Sequence, residues 1–251
     1  MVASGGLQSD AVASEPLITI VMAYYENPLM LELQWKTLSS YSSSTRSKIE
    51  VIVVDDASPA APAQAVKRPS NLNNLSIFRI KTDIRWNQDA ARNIGAHEAS
   101  APWLVLTDID HLIPESSLVQ LFDLDKRDDV FYSFGRTKYE NDDPRPVHPN
   151  SYFMAKSLYW SIGGHDEDFA GIYGKDFLFR KRAQAQSSEV HLPGVLISRV
   201  GKASVSDAGT RTISRGNALH LRAWGYLLEW LKAARLWRGV QTLTHPYEKV
   251  V

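Results

Sequence analysis

Trp103-Leu104-Val105-Leu106 runs directly into Thr107-Asp108-Ile109-Asp110-His111. An apolar run this short, closed by two carboxylates, reads as a buried strand opening onto a ligand site. Open α/β sheets bind ligands at the carboxyl ends of their strands. Carboxylates at i and i+2 can point to one side, so Asp108 and Asp110 together can hold a hard divalent cation through oxygen. Either acid is also an ordinary turn residue. Two like charges hard against a buried strand repel, however, and that repulsion calls for a counter-ion. His111 either joins them or is an exposed imidazole.

Outward from this strand the chain alternates. Leu17–Met22 and Ile49–Val54 read as buried strands, and Ser76–Ile80 as a third, shorter one. Asn27-Pro28 opens a helix carrying Leu29, Leu33, Trp35 and Leu38, and Gln88–Glu98 reads as another helix. Strand–helix alternation of this kind predicts a mostly parallel α/β sheet with right-handed crossovers. Beyond it come a strand at Val130–Phe134, a Pro- and Asp-rich loop from Tyr139 to Asn150, and a short helix at Lys156–Ile162. A Gly- and acid-rich loop from Gly163 to Gly174 then leads into a helix from Lys175 to about Gln184.

Bulk properties narrow the classes. Lys plus Arg equals Asp plus Glu, 28 of each, so no global basic field argues for nucleic acid. Without cysteine there is no disulfide, thiolate metal site or thiol nucleophile. No apolar run approaches the roughly 20 residues that span a bilayer. Residues 1–15 read as a small, polar, flexible leader. From Asn217 the chain reads as a long helix with Leu221, Trp224, Leu228, Leu231 and Leu236 near one face and Arg222, Lys232, Arg235 and Arg238 between them. Such a helix either lies on an anionic membrane or packs its stripe on the domain with its charges solvated; the packed reading is the commoner case and is preferred.

The turn after the first strand, Ala23-Tyr24-Tyr25-Glu26-Asn27, contains no glycine, so neither a dinucleotide fingerprint nor a P-loop is present. Any phosphate must be held by another device, and a metal is the obvious candidate. Asp55-Asp56, at the end of the second strand, can accept hydrogen bonds from a base or ribose, or simply shape a turn. Asp176 opens a helix, where it can cap free N–H groups, act as a general base, or do both. Asn87, Arg92 and Asn93 contact a nucleotide or are surface polar residues; Arg180 and Arg182 bind phosphate or pair with local acids.

Five motifs now stand in order: Ala23-Tyr24-Tyr25-Glu26, then Val53-Val54-Asp55-Asp56-Ala57-Ser58, Ala91-Arg92-Asn93-Ile94-Gly95-Ala96, Thr107-Asp108-Ile109-Asp110, and Gly163-Gly164 through Asp166-Glu167 to Gly174-Lys175-Asp176. From about Leu17 to Arg182 this order resembles nucleotide-sugar-dependent glycosyltransferases of the GT-A fold, of the inverting family-two type. Trp86-Asn87-Gln88 and Asp108 through Pro114 also resemble the β-1,4-galactosyltransferase and chondroitin-polymerase branches. The resemblance implies that Tyr24, Glu26 and Asp56, with Asp55 beside it, bind uridine, and that Arg92 and Asn93 sit near the nucleotide. It implies that Asp108 faces the ribose or sugar, that Asp110 binds Mn²⁺ or Mg²⁺, and that Asp176 is the base. The chain departs from the family at Lys175, where many relatives carry Glu, and in lacking the aromatic Gln-x-x-Arg-Trp motif of processive synthases.

The expected architecture is therefore a leader (1–15), a GT-A domain (16–210) with a nucleotide-binding half (16–114) and an acceptor-binding half (115–210), and a C-terminal helical extension (211–251). The expected partners are a nucleotide-sugar donor and a glycan or lipid-linked acceptor, with a cytoplasmic location and peripheral membrane contact through the last helix as its variant. A sugar-1-phosphate nucleotidylyltransferase would want a glycine-rich loop after the first strand. A catalytically silent nucleotide- or sugar-binding module would leave Asp176 idle.

Overall fold

A computed structural model describes residues 15–84, 86–175, 177–208 and 219–251. The leader up to residue 14, Arg85, the proposed base Asp176 and residues 209–218 lie outside the described residues. One sheet of ten strands organises the rest. In its first half β1 (Ile18–Tyr24), β2 (Ile49–Asp55), β3 (Leu75–Ile80) and β4 (Trp103–Asp108) lie parallel in the order β3-β2-β1-β4. The strand order reverses at β1. This is the switch point at which open sheets of this type carry ligands.

Parallel strands buried on both faces read as continuous apolar runs, and the run of β2 shows why. Val51 and Val53 join one core with Leu31, Trp35 and Leu38 of α1 (Pro28–Ser39), while Ile52 and Val54 join the opposite core with Ala90, Ala91 and Ile94 of α3 (Gln88–Glu98). Between them α2 (Ser43–Lys48) starts on a Ser42 cap, whose hydroxyl accepts from the Thr45 N–H. Helix α3 lies so close to the sheet that a Cβ at Gly95 would meet a Val21 methyl at 2.2 Å.

The second half of the sheet is mixed. After β5 (His111–Leu112) and α4 (Glu115–Asp123), β6 (Val130–Lys138) and β7 (Pro144–Arg145) form an antiparallel pair. β8 (Tyr152–Ala155) joins the two halves, running antiparallel to both β4 and β6. The short α5 (Lys156–Ser161) follows, then α6 (Phe177–Gln186) and β9 (Ser188–Arg199). β8, β9 and α4 are absent from the sequence reading. β9 hides because Pro193 and Gly194 interrupt it: it pairs with β6 on both sides of a register shift at Phe134/Gly135, where the strand bulges.

Among the described residues, the C-terminal segment is helical from Leu219 to Ala233, helix α7. The chain then returns to the sheet, where β10 (Tyr247–Lys249) runs antiparallel along the outer edge of β3 and Val250 and Val251 pack on the first core. The sequence reading, a helical extension over 211–251, does not include this returning strand.

Candidate active site

The parallel register places the key residues. Tyr24 lies opposite Asp55, and Ala23 opposite Asp108, so β1, β2 and β4 deliver their carboxyl ends to one rim. Asp55 is fully buried there, with its two oxygens accepting from the Ser58 and Ala63 N–H groups at 2.8 Å each, and with Arg79 at 3.6 Å. Burial raises its pKa, and those backbone donors oppose the rise. Its role is to fold the loop that follows. Glu26 completes that loop: held at a positive φ of 46°, it accepts from the Ala60 and Ala61 N–H groups at 2.8 and 3.1 Å. Tyr24 donates its hydroxyl to Ala61 O at 2.6 Å. Asp56 bridges to α3, accepting the Asn87 N–H at 3.0 Å.

Arg92 and Asn93, side by side on α3, are buried rather than surface residues. Arg92 donates to Asn150 O at 2.9 Å and closes an ion pair with Asp108 Oδ1. Asn93 spends its whole amide on the glycine-rich loop: it donates to His165 O and Glu167 Oε1, and accepts from the Tyr159 hydroxyl and the His165 N–H. A Cβ at Gly164, which has a φ of +63°, would crowd that amide oxygen at 2.8 Å. The structure therefore gives Asn93 the job of fixing a loop.

Asp108 also accepts from Gln88 Nε2 at 2.6 Å, and its Oδ2 lies 3.4 Å from His148 Nε2. His111 is not an exposed imidazole; it is 1% exposed and its ring lies against that of His148, centroids 4.2 Å apart. Among the described residues, Asp108, His111 and His148 form a group whose ligand atoms lie within 4.8 Å of one another, suited to a divalent metal. Burial, opposed by Asp108, pushes His148 down to about 3, which leaves it neutral and able to donate a lone pair. Asp110 stands behind this group: its Oδ1 is 2.7 Å from His111 Nδ1 and its Oδ2 is 3.5 Å from Arg199 Nε. Burial disfavours its charge, yet the hydrogen bond and charge of His111, with Arg199, hold it below the usual carboxylate value. A carboxylate on one nitrogen of a metal-ligating histidine orients the ring, and the other nitrogen of His111, Nε2, here accepts from Arg136 Nε at 2.9 Å, a contact that a cation on it would replace. The expected pair of aspartates thus meets two histidines. His148 carried no sequence signal, since it lies in a Pro-rich loop far from His111.

The second acidic cluster is engaged by the C-terminal segment. Lys232 Nζ lies 2.8 Å from Asp166 and 2.7 Å from Asp168, and Arg238 also pairs with Asp168. Glu167 accepts from the Leu243 and Thr244 N–H groups at 2.7 Å each. Gly171 donates its N–H to Trp86 O at 3.0 Å, and the Tyr173 ring meets Trp86 edge-on, so this loop leans on the entry to α3. Arg180 pairs with Glu189 and Arg182 donates to Gly164 O, so both are spent locally. Asp176 follows Lys175 but lies outside the described residues.

The family model described as Glycosyl transferase family 2 matches residues 19–182, most of the chain and all five motifs. The chain belongs to that family. No curated protein matches it. Among solved structures, the fold recurs in TarS 1–349 of S. aureus, at 16% identity with a TM-score of 0.59, covering 76% of this chain and 63% of that one. TarS 1–349 in complex with UDP-GlcNAc aligns with a TM-score of 0.60 at 16% identity over 74% of this chain and 58% of that one. The mannosyltransferase PcManGT of Pyrobaculum calidifontis, in complex with GDP-Man and Mn²⁺, aligns at 20% identity with a TM-score of 0.58 over 91% of this chain and 66% of that one. At these identities the likeness establishes the fold. This chain spans less than two thirds of the TarS chains.

Proposed function

We propose that this chain transfers a sugar from a nucleotide-sugar, UDP-linked in the first instance, to a hydroxyl of a glycan or lipid-linked acceptor, with inversion. The observation that carries the reading is the rim at which Tyr24, Asp55 and Asp108 end their strands beside the Asp108, His111 and His148 group. A carboxylate and two imidazoles suit Mn²⁺ better than Mg²⁺, which prefers oxygen ligands. When bound, the cation would offset the charge that develops on the departing diphosphate.

The remaining steps belong to the chain's own residues. The loop shaped by Asp55 and Glu26, with Tyr24 and Asp56, receives the nucleoside; Arg92 keeps Asp108 aimed at the donor. The Asp176 carboxylate takes the acceptor hydroxyl's proton while that oxygen bonds to the anomeric carbon. The anomeric carbon's bond to the diphosphate oxygen breaks, and its electron pair leaves with the diphosphate. A single displacement inverts the anomeric centre. The Asp108-to-Pro114 run supports kinship with the β-1,4-galactosyltransferase and chondroitin-polymerase branches, and with it a glycan hydroxyl as acceptor.

The decisive measurement is nucleotide release from a panel of UDP-sugars and GDP-mannose, with Mn²⁺, Mg²⁺ or chelator present. One donor turning over with Mn²⁺ and stalling with chelator is the expected result. Binding of UDP without turnover of any donor would reduce the chain to a binding module.

A further inference from the structure

Helix α7 carries apolar residues on both its inner and its outer side. Its charged residues Glu229 and Lys232 face the protein, where Glu229 accepts from Lys175 Nζ at 2.9 Å and Lys232 reaches Asp166 and Asp168. Only Gly225 and Leu228 bury fully, Leu228 among Phe169, Ile172 and Leu178. At 100° per residue the opposite arc carries Leu219, Tyr226, Leu227 and Trp230, and Leu236 stands exposed past the helix end, whereas Trp224 lies on the Leu228 side against Trp237, whose indole donates to Asp168 Oδ2 at 3.2 Å. Tyr226 is 69% exposed, Trp230 59% and Leu236 64%. The preferred sequence reading, an inward apolar stripe with solvated charges, holds at Leu228, with Leu221 and Leu231 half-buried beside it, but misses Lys232, which faces the acidic loop, and the second apolar row left outside. A contiguous aromatic patch of this kind on a folded domain marks an interaction surface.

We infer that this face docks on an anionic lipid surface, with α7 lying in the plane of the headgroups. Its charge selects the partner. Of the basic residues in 219–239, Lys232 and Arg238 are taken up by Asp166 and Asp168, while Arg222 and Arg235 are exposed beside the apolar row; the one acid of the stretch, Glu229, is turned to Lys175. Three of the chain's seven tryptophans lie in that stretch, and indole and phenol rings favour the membrane–water boundary, with the ring in the apolar layer and the polar handle in the wet one. Fifteen residues make a helix of about 22 Å, too short to cross a bilayer but suited to lying on one. No helix among the described residues is long and apolar enough to cross a membrane. A second copy of the chain would meet the patch with the same positive charge.

Because Lys175 and Lys232 tie α7 to the loop that precedes Asp176, a docked helix would hold that loop at the bilayer. For the acceptor, this rests on the function proposed above and points to one whose hydroxyl is presented at a membrane. The docking itself does not depend on that chemistry.

The test is co-sedimentation of the whole chain with phosphatidylcholine vesicles and with vesicles that also contain phosphatidylglycerol, followed in parallel by tryptophan emission. Expected are binding to the anionic vesicles, a blue-shifted emission, and weakening by salt. The exposed double variant Leu227→Ser/Trp230→Ser keeps its circular dichroism and loses about tenfold or more in vesicle affinity. Arg235→Glu loses affinity for anionic vesicles. Absence of binding to either vesicle at low ionic strength overturns the inference. So does a self-associated wild type that the double variant converts to monomer, which would assign the face to a second copy. Nucleotide release in lipid-free buffer reads the transfer chemistry separately, so neither failure can be mistaken for the other.

Discussion

The fully buried guanidinium of Arg92 closes on Oδ1 of Asp108, the oxygen that Gln88 also holds, while Oδ2 of the same carboxylate looks toward His148. One side of Asp108 is thus fixed from below by α3, and the other lies among the metal-binding candidates. Removing Arg92 strands a charge at the rim and frees Asn150 O as well. Breaking a buried ion pair from one side costs about 3–5 kcal/mol, and the low end applies because the Asp108 side chain is 25% exposed. Arg92→Met is expected to lower the denaturant midpoint accordingly. Arg92→Lys recovers part of the charge but not the two-pronged contact; a wild-type melt for Arg92→Met would remove the pair from any structural role.

Manganese binding, read by isothermal titration or by the cation's spin resonance, tests the site. Asp108→Asn, Asp110→Asn and His148→Ala are each expected to weaken it about tenfold or more, Asp110 through its hold on His111. Should His148→Ala bind with wild-type affinity, the cation belongs to the two aspartates without the histidine.

The buried Asp89 gives stability a pH dependence. Its Oδ1 lies 2.8 Å from His165 Nδ1, and burial pushes its carboxyl up from 3.8 to about 7 against the pull of Arg92. The folded protein therefore holds this proton more tightly than the unfolded chain does. The stabilisation is complete below the ordinary value and is lost as pH rises toward the folded one. Within that window the residue removes up to about 1.4 kcal/mol per pH unit. Asp89→Asn cannot titrate and should flatten the slope of unfolding free energy against pH; an unaltered slope assigns the proton elsewhere.

Helix propensity alone would favour Gly95→Ala by about 1 kcal/mol. The 2.2 Å approach to Val21 reverses that sign, since overpacking a core costs about 1–3 kcal/mol. Gly95→Ala is predicted to destabilise, and Val21→Ala in the same chain to restore part of the loss. Two additive penalties in a double-mutant cycle would refute the contact.

Asp176→Asn should cut transfer by about 10²–10⁴ while leaving UDP affinity within a few-fold. Transfer at the wild-type rate would relieve Asp176 of the role of base.

The sequence reading reached α3 at its observed bounds and ended three strands at the rim, because those segments carry their own periodicity. It could not see β9, whose Pro193 and Gly194 mimic a loop, nor His148, which is brought to His111 only by the crossing of distant strands. The same limit applies to α7. Its spacing of leucines marks the side that packs on Phe169, Ile172 and Leu178, but the second row of Tyr226, Leu227 and Trp230 left outside, and the pairing of Lys232 with Asp166 and Asp168, are set by the fold around it. Asn93 was misjudged for a similar reason: a polar residue on a helix looks solvated until the loop that consumes its amide is known.

The strand Tyr247–Lys249 runs along β3 with Ile77 bonded to both Val250 and Val251, and so occupies the outermost hydrogen-bonding row on that side of the sheet. Peeled away by heat or by a protease, it would leave a straight, apolar border ready to recruit the equivalent border of a neighbouring molecule. Loss of solubility would then precede loss of the fold, and clouding on warming would report the tail coming loose before the core melts.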